Sequence, residues 1–163
     1  MTDLKKKSVG FAAIEFVDDG CSLGVGTGST VDFFIEALAS ANSKPSLIVS
    51  TSKRTDSLLE KYGLSTVSLL SVKKQLDVYI DGADEVDKKL NLIKGGGGAL
   101  TSEKIVAASA QQFVCIVDDS KIVDKLGSFP LPIEIVPSAR ELITNQLSVR
   151  FNGIVRESVG FIT

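Results

Sequence analysis

The chain has 163 residues, 44% hydrophobic and 23% charged, with a formal net charge of −2. That is the composition of a globular protein of one domain, or of one domain and part of another. The acidic balance argues against nucleic-acid or membrane-surface partners, which need a basic face, but leaves room for a small anionic ligand at a locally positive site. There is no histidine, so acid–base chemistry falls to carboxylates, lysines and hydroxyls, and a transition-metal site would lack its commonest ligand. Cys21 and Cys115 lie far apart in apolar runs and read as plain core residues. No apolar run approaches the ~20 residues of a membrane span, and no signal-peptide core follows the basic N-terminus, so a cytoplasmic protein is expected.

In chain order, residues 4–17 have the spacing of an amphipathic helix ended by Asp18-Asp19-Gly20. Residues 21–25 form a short apolar strand, 26–30 a tight loop, and 31–41 a helix with Phe34, Ile35 and Leu38 on one side. A second strand (46–50) and helix (53–62) follow, then a strand or extended piece at 64–70. Residues 76–80 form a strand running into Asp81-Gly82-Ala83-Asp84; 90–93 are extended and lead to Lys94 and four glycines. Thr101 is placed to cap a helix reaching about Gln112, and 113–117 read as a central strand of a parallel sheet, buried on both faces. After Phe129 the character changes: Phe129-Pro130-Leu131-Pro132 marks a boundary, followed by a strand (133–136), a helix (138–149) and a strand (154–157). The alternation predicts an α/β fold with a mostly parallel sheet.

Ligands of open α/β sheets bind beyond the carboxyl ends of the strands. The polar or glycine-rich segments 24–30, 81–84, 94–103 and 118–121 follow strands or extended pieces, so they should meet at one sheet edge. The first resembles a dinucleotide fingerprint with Ser29 in its last place. The second strand, however, ends in Thr51-Ser52 rather than an acid for a ribose hydroxyl. What remains is a glycine turn and helix start bearing Ser29 and Thr30, suited to a phosphate or simply to a capped turn. Asp81 and Asp84 can serve a turn, a Mg²⁺ ion or sugar hydroxyls. Four consecutive glycines, 95–98, fit a backbone that closely approaches a ligand, or a flexible connection. Glu103, in the first turn of its helix, is either a dipole-compensating residue or a general base. Lys121 is either a phosphate contact or a surface lysine. Together these groups suit aldose–ketose isomerisation: a base (Glu103), a stabiliser of the enediolate oxygen (Lys94 and the glycine-loop N–H groups), and a carboxylate pair for hydroxyl protons.

The segments 24–30 (GVGTGST), 79–85 (YIDGADE) and 93–101 (IKGGGGALT), with Glu103-Lys104-Ile105 and Phe129-Pro130-Leu131-Pro132, resemble the signatures of the ribose-5-phosphate isomerase A family. Their order and spacing agree from the first helix to about residue 160. The resemblance implies a Rossmann-like, mostly parallel sheet with helices on both faces at 1–129, and at 130–163 the start of a small α+β domain that the chain leaves incomplete. It implies interconversion of D-ribose 5-phosphate and D-ribulose 5-phosphate in the pentose phosphate pathway, with Glu103 as base and Lys94 on the enediolate. Asp81 and Asp84 are the family's carboxylates, Asp81 acting in ring opening. Thr27, Gly28, Ser29, Thr30, Gly82, Ala83, Gly95, Gly96, Gly97 and Lys121 bind substrate, with Lys6 near the phosphate. It further implies no metal, no cofactor, and a homodimer or homotetramer. Two rivals share the fold: a sugar-phosphate sensor, which would need a DNA-binding segment not seen before Leu4, and a CoA-transferase or amino-sugar isomerase relative. The missing acid after the second strand disfavours a nicotinamide oxidoreductase.

Overall fold

The computed structural model describes residues 2–158 and 161–162, the last two and 157–158 by their backbone alone. Its elements are α1 (Thr2–Ala12), β1 (Ser22–Val25), α2 (Ser29–Ser40), β2 (Leu47–Ser50), α3 (Lys53–Lys61), β3 (Leu76–Asp81), β4 (Glu85–Asp87) and β5 (Leu92–Ile93). There follow α4 (Leu100–Ala108), β6 (Ala110–Cys115), β7 (Ile122–Val123), α5 (Arg140–Phe151), β8 (Glu157–Ser158) and β9 (Phe161–Ile162). The central sheet is parallel, in the order β2-β1-β3-β6. Two-residue periodicity sends alternate side chains to opposite faces. Leu23, Val25, Ile48, Val78 and Ile80 meet Val31, Phe34, Ile35 and Leu38 of α2 and Leu59 of α3 on one face. On the other, Val49 and Tyr79 meet Val106 of α4, joined by Leu76 from the first position of β3, where the alternation does not hold. Helices therefore cover both faces, as the alternation of strands and helices predicts.

The chain leaves β1 toward β2 on one side and later lays β3 against β1's other side. The connections diverge between β1 and β3, and this reversal of strand order opens the crevice in which doubly wound sheets hold ligands. A second sheet, in the order β5-β4-β7, begins with β4 directly after β3, antiparallel to β5 and parallel to β7. Buried Glu85 of β4 accepts the N–H groups of Gly127 (2.7 Å) and Phe129 (2.5 Å), fixing the chain after β7. Among the described residues no helix is long and apolar enough to cross a membrane.

Several element predictions need correction. The fourth strand is Ala110–Cys115 rather than 113–117, and it is the sheet's edge; Gln111, Gln112 and Phe113 are exposed, so its apolar run does not signal a centre buried on both faces. The preceding helix accordingly ends at Ala108, not near Gln112. Thr101 lies inside α4 and does not cap it. The helix starts after Ala99, and Glu134, from a distant segment, accepts the Thr101 N–H at 2.8 Å. Of the two readings of 64–70, strand or extended piece, no strand forms there; none forms at 133–136 either, and 154–157 contributes only Glu157, to the β8–β9 hairpin. Leu90 sits at φ 63°, in the tight turn between β4 and β5. Residues 159, 160 and 163 of the expected small domain lie outside the described residues.

Candidate active site

At the carboxyl ends of β1 and β3, a cavity of about 290 Å³ is lined by the 27–31 loop and helix start, Arg54, residues 82–84, Lys94, residues 95–97, Glu103 and Lys121. The four segments expected to meet do meet. At one end the short 26–28 turn delivers the first turn of α2, whose leading N–H groups and Ser29 and Thr30 hydroxyls suit an anion. Lys6, reaching across from α1, donates to Ser29 Oγ at 3.0 Å. Buried Asp118 lies near both Lys6 and Lys121. Its carboxyl is held below the usual carboxylate range, first by the Ser120 hydroxyl and then by the Ser120 N–H and the two lysines.

At the other end three charged groups share one knot. Lys94 Nζ lies 2.6 Å from Asp81 Oδ2, 2.5 Å from the Gly82 carbonyl and 3.0 Å from Glu103 Oε2. The Asp81 carboxylate is wholly buried beneath the cavity floor. It accepts four donors: the Thr27 and Gly82 N–H groups on Oδ1 (3.0 and 2.7 Å), and the Tyr79 hydroxyl and Lys94 on Oδ2 (2.5 and 2.6 Å). Glu103 is buried too, yet its Oε2 has Lys94 as a charge partner without an aligned hydrogen bond. Burial, and then the Asp81 charge, push the Glu103 carboxyl up from its ordinary range, with Lys94 opposing. For Lys94, burial alone favours the neutral amine, but the charges of Asp81 and Glu103 outweigh it and hold the ammonium above the ordinary lysine value. The knot is thus a fixed cation between a fixed anion and a carboxylate poised to exchange a proton.

Asp84 serves the glycine loop: its Oδ2 accepts the Gly96 N–H at 2.8 Å, and its own N–H donates to Ile93 O at 2.8 Å. A Cβ on Gly96 would stand 2.6 Å from Asp84 Oδ1 and 2.7 Å from Phe129 Cζ, so the loop passes where a side chain has no room. Gly26 is tighter still, since a Cβ there would fall 1.9 Å from Asp81 Cγ. Gly26→Ala should therefore displace Asp81 and lower the unfolding free energy by about 1–3 kcal/mol. Chemical denaturation measures the loss. Among the described residues, no three His, Cys, Asp or Glu side chains cluster closely enough to hold a metal ion.

Comparison with known proteins identifies the assembly. A model of the family "Ribose 5-phosphate isomerase A (phosphoriboisomerase A)" matches residues 47–163. The Ribose-5-phosphate isomerase A of Legionella pneumophila (strain Lens) is 48% identical over 163 residues, which is 100% of this chain and 74% of that protein. The chain belongs to the ribose-5-phosphate isomerase A family. The Blochmanniella pennsylvanica member is 52% identical over 149 residues, 91% of this chain and 67% of its own. The crystal structure of the Neisseria gonorrhoeae member superimposes with a TM-score of 0.91 at 46% identity, covering 99% of this chain and 75% of that one. A D-ribose-5-phosphate isomerase in complex with phospho-erythronic acid superimposes at 0.88 with 36% identity, over 99% and 78% of the two chains. The chain spans about three quarters of the length of most of these relatives.

Of the residues singled out in the sequence, Glu103, Lys94, Asp84, Gly82, Ala83, Gly95, Gly96, Gly97, Thr27, Gly28, Ser29, Thr30 and Lys121 line the cavity. Lys6 stands at its rim, bonded to Ser29. Asp81 does not line it but anchors Lys94 from below. Arg54 was missed: it lines the cavity while holding Asp32 through two hydrogen bonds. Tyr79, given no role in the sequence beyond its place in the 76–80 strand and the YIDGADE segment, donates its hydroxyl to Asp81. The signal available was an aromatic with a polar tip two positions before the aspartate, on the same face of β3.

Proposed function

We propose that this chain interconverts D-ribose 5-phosphate and D-ribulose 5-phosphate, with Glu103 moving the proton between C2 and C1. The carrying observation is the buried Glu103 carboxylate, 3.0 Å from a lysine locked on Asp81, in the same cavity as the α2 N-terminus. The phosphate sits against Thr27, Gly28, Ser29 and Thr30, with Lys6 and Lys121 adding positive charge. Gly82, Ala83 and Asp84 with Gly95, Gly96 and Gly97 hold the sugar hydroxyls. In ring opening, assigned to Asp81, the O1 proton is removed by way of Lys94, the cationic neighbour of the buried carboxylate, as the C1–O4 bond breaks and a proton is returned to O4. In the open chain, Glu103 takes the C2 proton and the electron pair forms the C1–C2 enediolate double bond. Lys94 stabilises the oxygen that gains charge. The O2 proton moves to O1, C2 becomes the carbonyl, and Glu103 returns its proton to C1. The phospho-erythronic acid complex of the relative supports a phosphorylated sugar chain as the ligand.

Residues 1–129 act as the catalytic unit, and 130–163 belong to a small α+β domain. The protein acts in the cytoplasm as a homodimer or homotetramer; association is supported by the apolar side chains exposed at Leu142, Val149 and Phe151 of α5. Formation of ribulose 5-phosphate from ribose 5-phosphate, followed with EDTA present, tests the reaction. Turnover that survives EDTA and falls sharply with unphosphorylated ribose is expected. Binding of ribose 5-phosphate without turnover would favour the sensor reading.

A further inference from the structure

Two carboxylates, Asp81 and Glu103, flank one ammonium, so a proton entering the knot has two places to go. The isomerisation proposed above needs it on Glu103, and the donors around each carboxylate decide the matter. Asp81 has two backbone N–H groups, Lys94 and Tyr79; Glu103 Oε2 has Lys94 alone, and poorly aligned. The backbone donors are fixed by the fold, and Lys94 is shared with Glu103 and with any charge that develops on substrate. The Tyr79 hydroxyl is the side-chain donor on Asp81 that Glu103 does not also engage.

Tyr79 is held for that purpose. It is fully buried in β3, its ring stacked on Phe113 with centroids 5.4 Å apart and planes at 23°. On β1, Gly24 leaves the space it fills: a Cβ there would stand 2.8 Å from Tyr79 Cδ2. With the ring fixed, the hydroxyl points at Asp81 Oδ2 at 2.5 Å. Resting on the isomerase reading, we propose that Tyr79 is a positioning residue: its hydroxyl keeps the negative charge on Asp81, so that Glu103 is the carboxylate that takes the substrate's proton.

The charged and titratable groups that form or face the knot, besides Asp81, are Tyr79 from β3, Asp84 from the turn after β3, Lys94 from the loop after β5, Glu103 from α4 and Cys115 from β6. Burial pushes the Cys115 thiol up to about 11 and burial holds the Tyr79 phenol above its ordinary value, so both stay protonated near neutral pH. Asp84 adds negative charge near Glu103, which raises that carboxyl further. Removing the Tyr79 hydroxyl leaves Asp81 with three donors instead of four, so the knot as a whole takes up a proton more readily.

The test is Tyr79→Phe, which keeps the ring and its stacking. The turnover number should fall on the order of tenfold, the worth of one hydrogen bond to a charged group. KM should change little, and the acidic limb of the kcat/KM profile should move up by about half to one pH unit. The chain has 2 tyrosines. In a Tyr62→Phe background, 3-fluorotyrosine therefore enters at position 79 alone; its more acidic phenol donates more strongly, and the limb should move down. Opposite shifts in these two proteins support the proposal. A folded Tyr79→Phe protein with an unmoved limb and turnover number would overturn it, as would a loss confined to KM or to thermal stability. Carbon-13 titration of the carboxyl groups reads the same effect without substrate: the carboxyl resonances of the knot should follow different curves in Tyr79→Phe and the parent, and superimposable curves would overturn the assignment. If the parent chain proved inactive on ribose 5-phosphate, the isomerase reading would fail by itself, and this titration would still decide the role of Tyr79.

Discussion

Glu103→Gln lowers turnover by a factor on the order of 10²–10⁴, the usual contribution of a positioned base, while KM changes little. Glutamine keeps the shape and the neutral polarity of a protonated glutamate but cannot take the C2 proton. The rest of the knot has no reason to move, because Lys94 retains Asp81 and the Gly82 carbonyl, and Asp81 retains all four donors. Stability separates a chemical loss from a structural one. The folded Glu103 carboxyl is raised above its unfolded value, so its charged form opposes folding. That penalty is absent below the unfolded value of about 4.3, grows as pH rises to the folded value, and is constant above it. Glutamine removes the penalty. The variant should therefore melt at or above the parent temperature at pH 8, and the advantage should vanish near pH 4. Steady-state kinetics with thermal scans at the two pH values check both parts. Near-parent turnover would remove Glu103 from its role.

Lys94→Ala is the second large effect. It deletes the cation aimed at the developing enediolate oxygen, and loss of one such stabilising donor costs about 10²–10³ in kcat. It also leaves two buried carboxylates facing each other without their shared counter-ion. Breaking a buried pair from one side costs about 3–5 kcal/mol at its fullest. Proton uptake limits the cost here, because Glu103 already holds its proton more tightly than an ordinary carboxylate and does so further once Lys94 is gone. The destabilisation should accordingly be small at pH 4 and grow with pH through the carboxylate range. Denaturant titrations at pH 4, 6 and 8 read that slope, and kcat at saturating ribose 5-phosphate reads the chemical loss. A defect confined to substrate affinity would make Lys94 a binding residue.

The parts legible in the sequence were those set by local pattern. Glycine-rich or acidic segments after apolar runs located the cavity, because a parallel sheet brings the carboxyl ends of its strands to one edge. Residues 95–98 declared themselves because glycines in series have few other physical reasons to exist. What failed depends on contacts distant in sequence. The apolar run at 113–117 looks central until the strand order puts it at the edge with Phe113 exposed. Thr101 looks like a cap until Glu134 arrives from thirty-three residues away to accept its N–H. The strand Glu85–Asp87 carries an acid at each end, so it hides as a turn; Glu85 is buried because it binds two N–H groups of the segment after β7. Asp81 and Asp84 read as an equivalent pair, yet one lies under the floor as an anchor and the other organises the glycine loop. No spacing rule separates them, since only the packing of β3 against Gly26 sends the first one down.

The central claim is that Glu103 breaks the C2–H bond of ribose 5-phosphate, and the most direct measurement is the fate of deuterium placed at C2. Substrate carrying deuterium at C2 is incubated with the parent chain and with Glu103→Gln, and NMR follows the label. The parent should cleave the C2–D bond, with deuterium appearing at C1 of ribulose 5-phosphate or in solvent, while Glu103→Gln leaves the label at C2 over the same interval. Cleavage by Glu103→Gln at the parent rate, or an intact C2–D bond after prolonged incubation with the parent, would contradict the account.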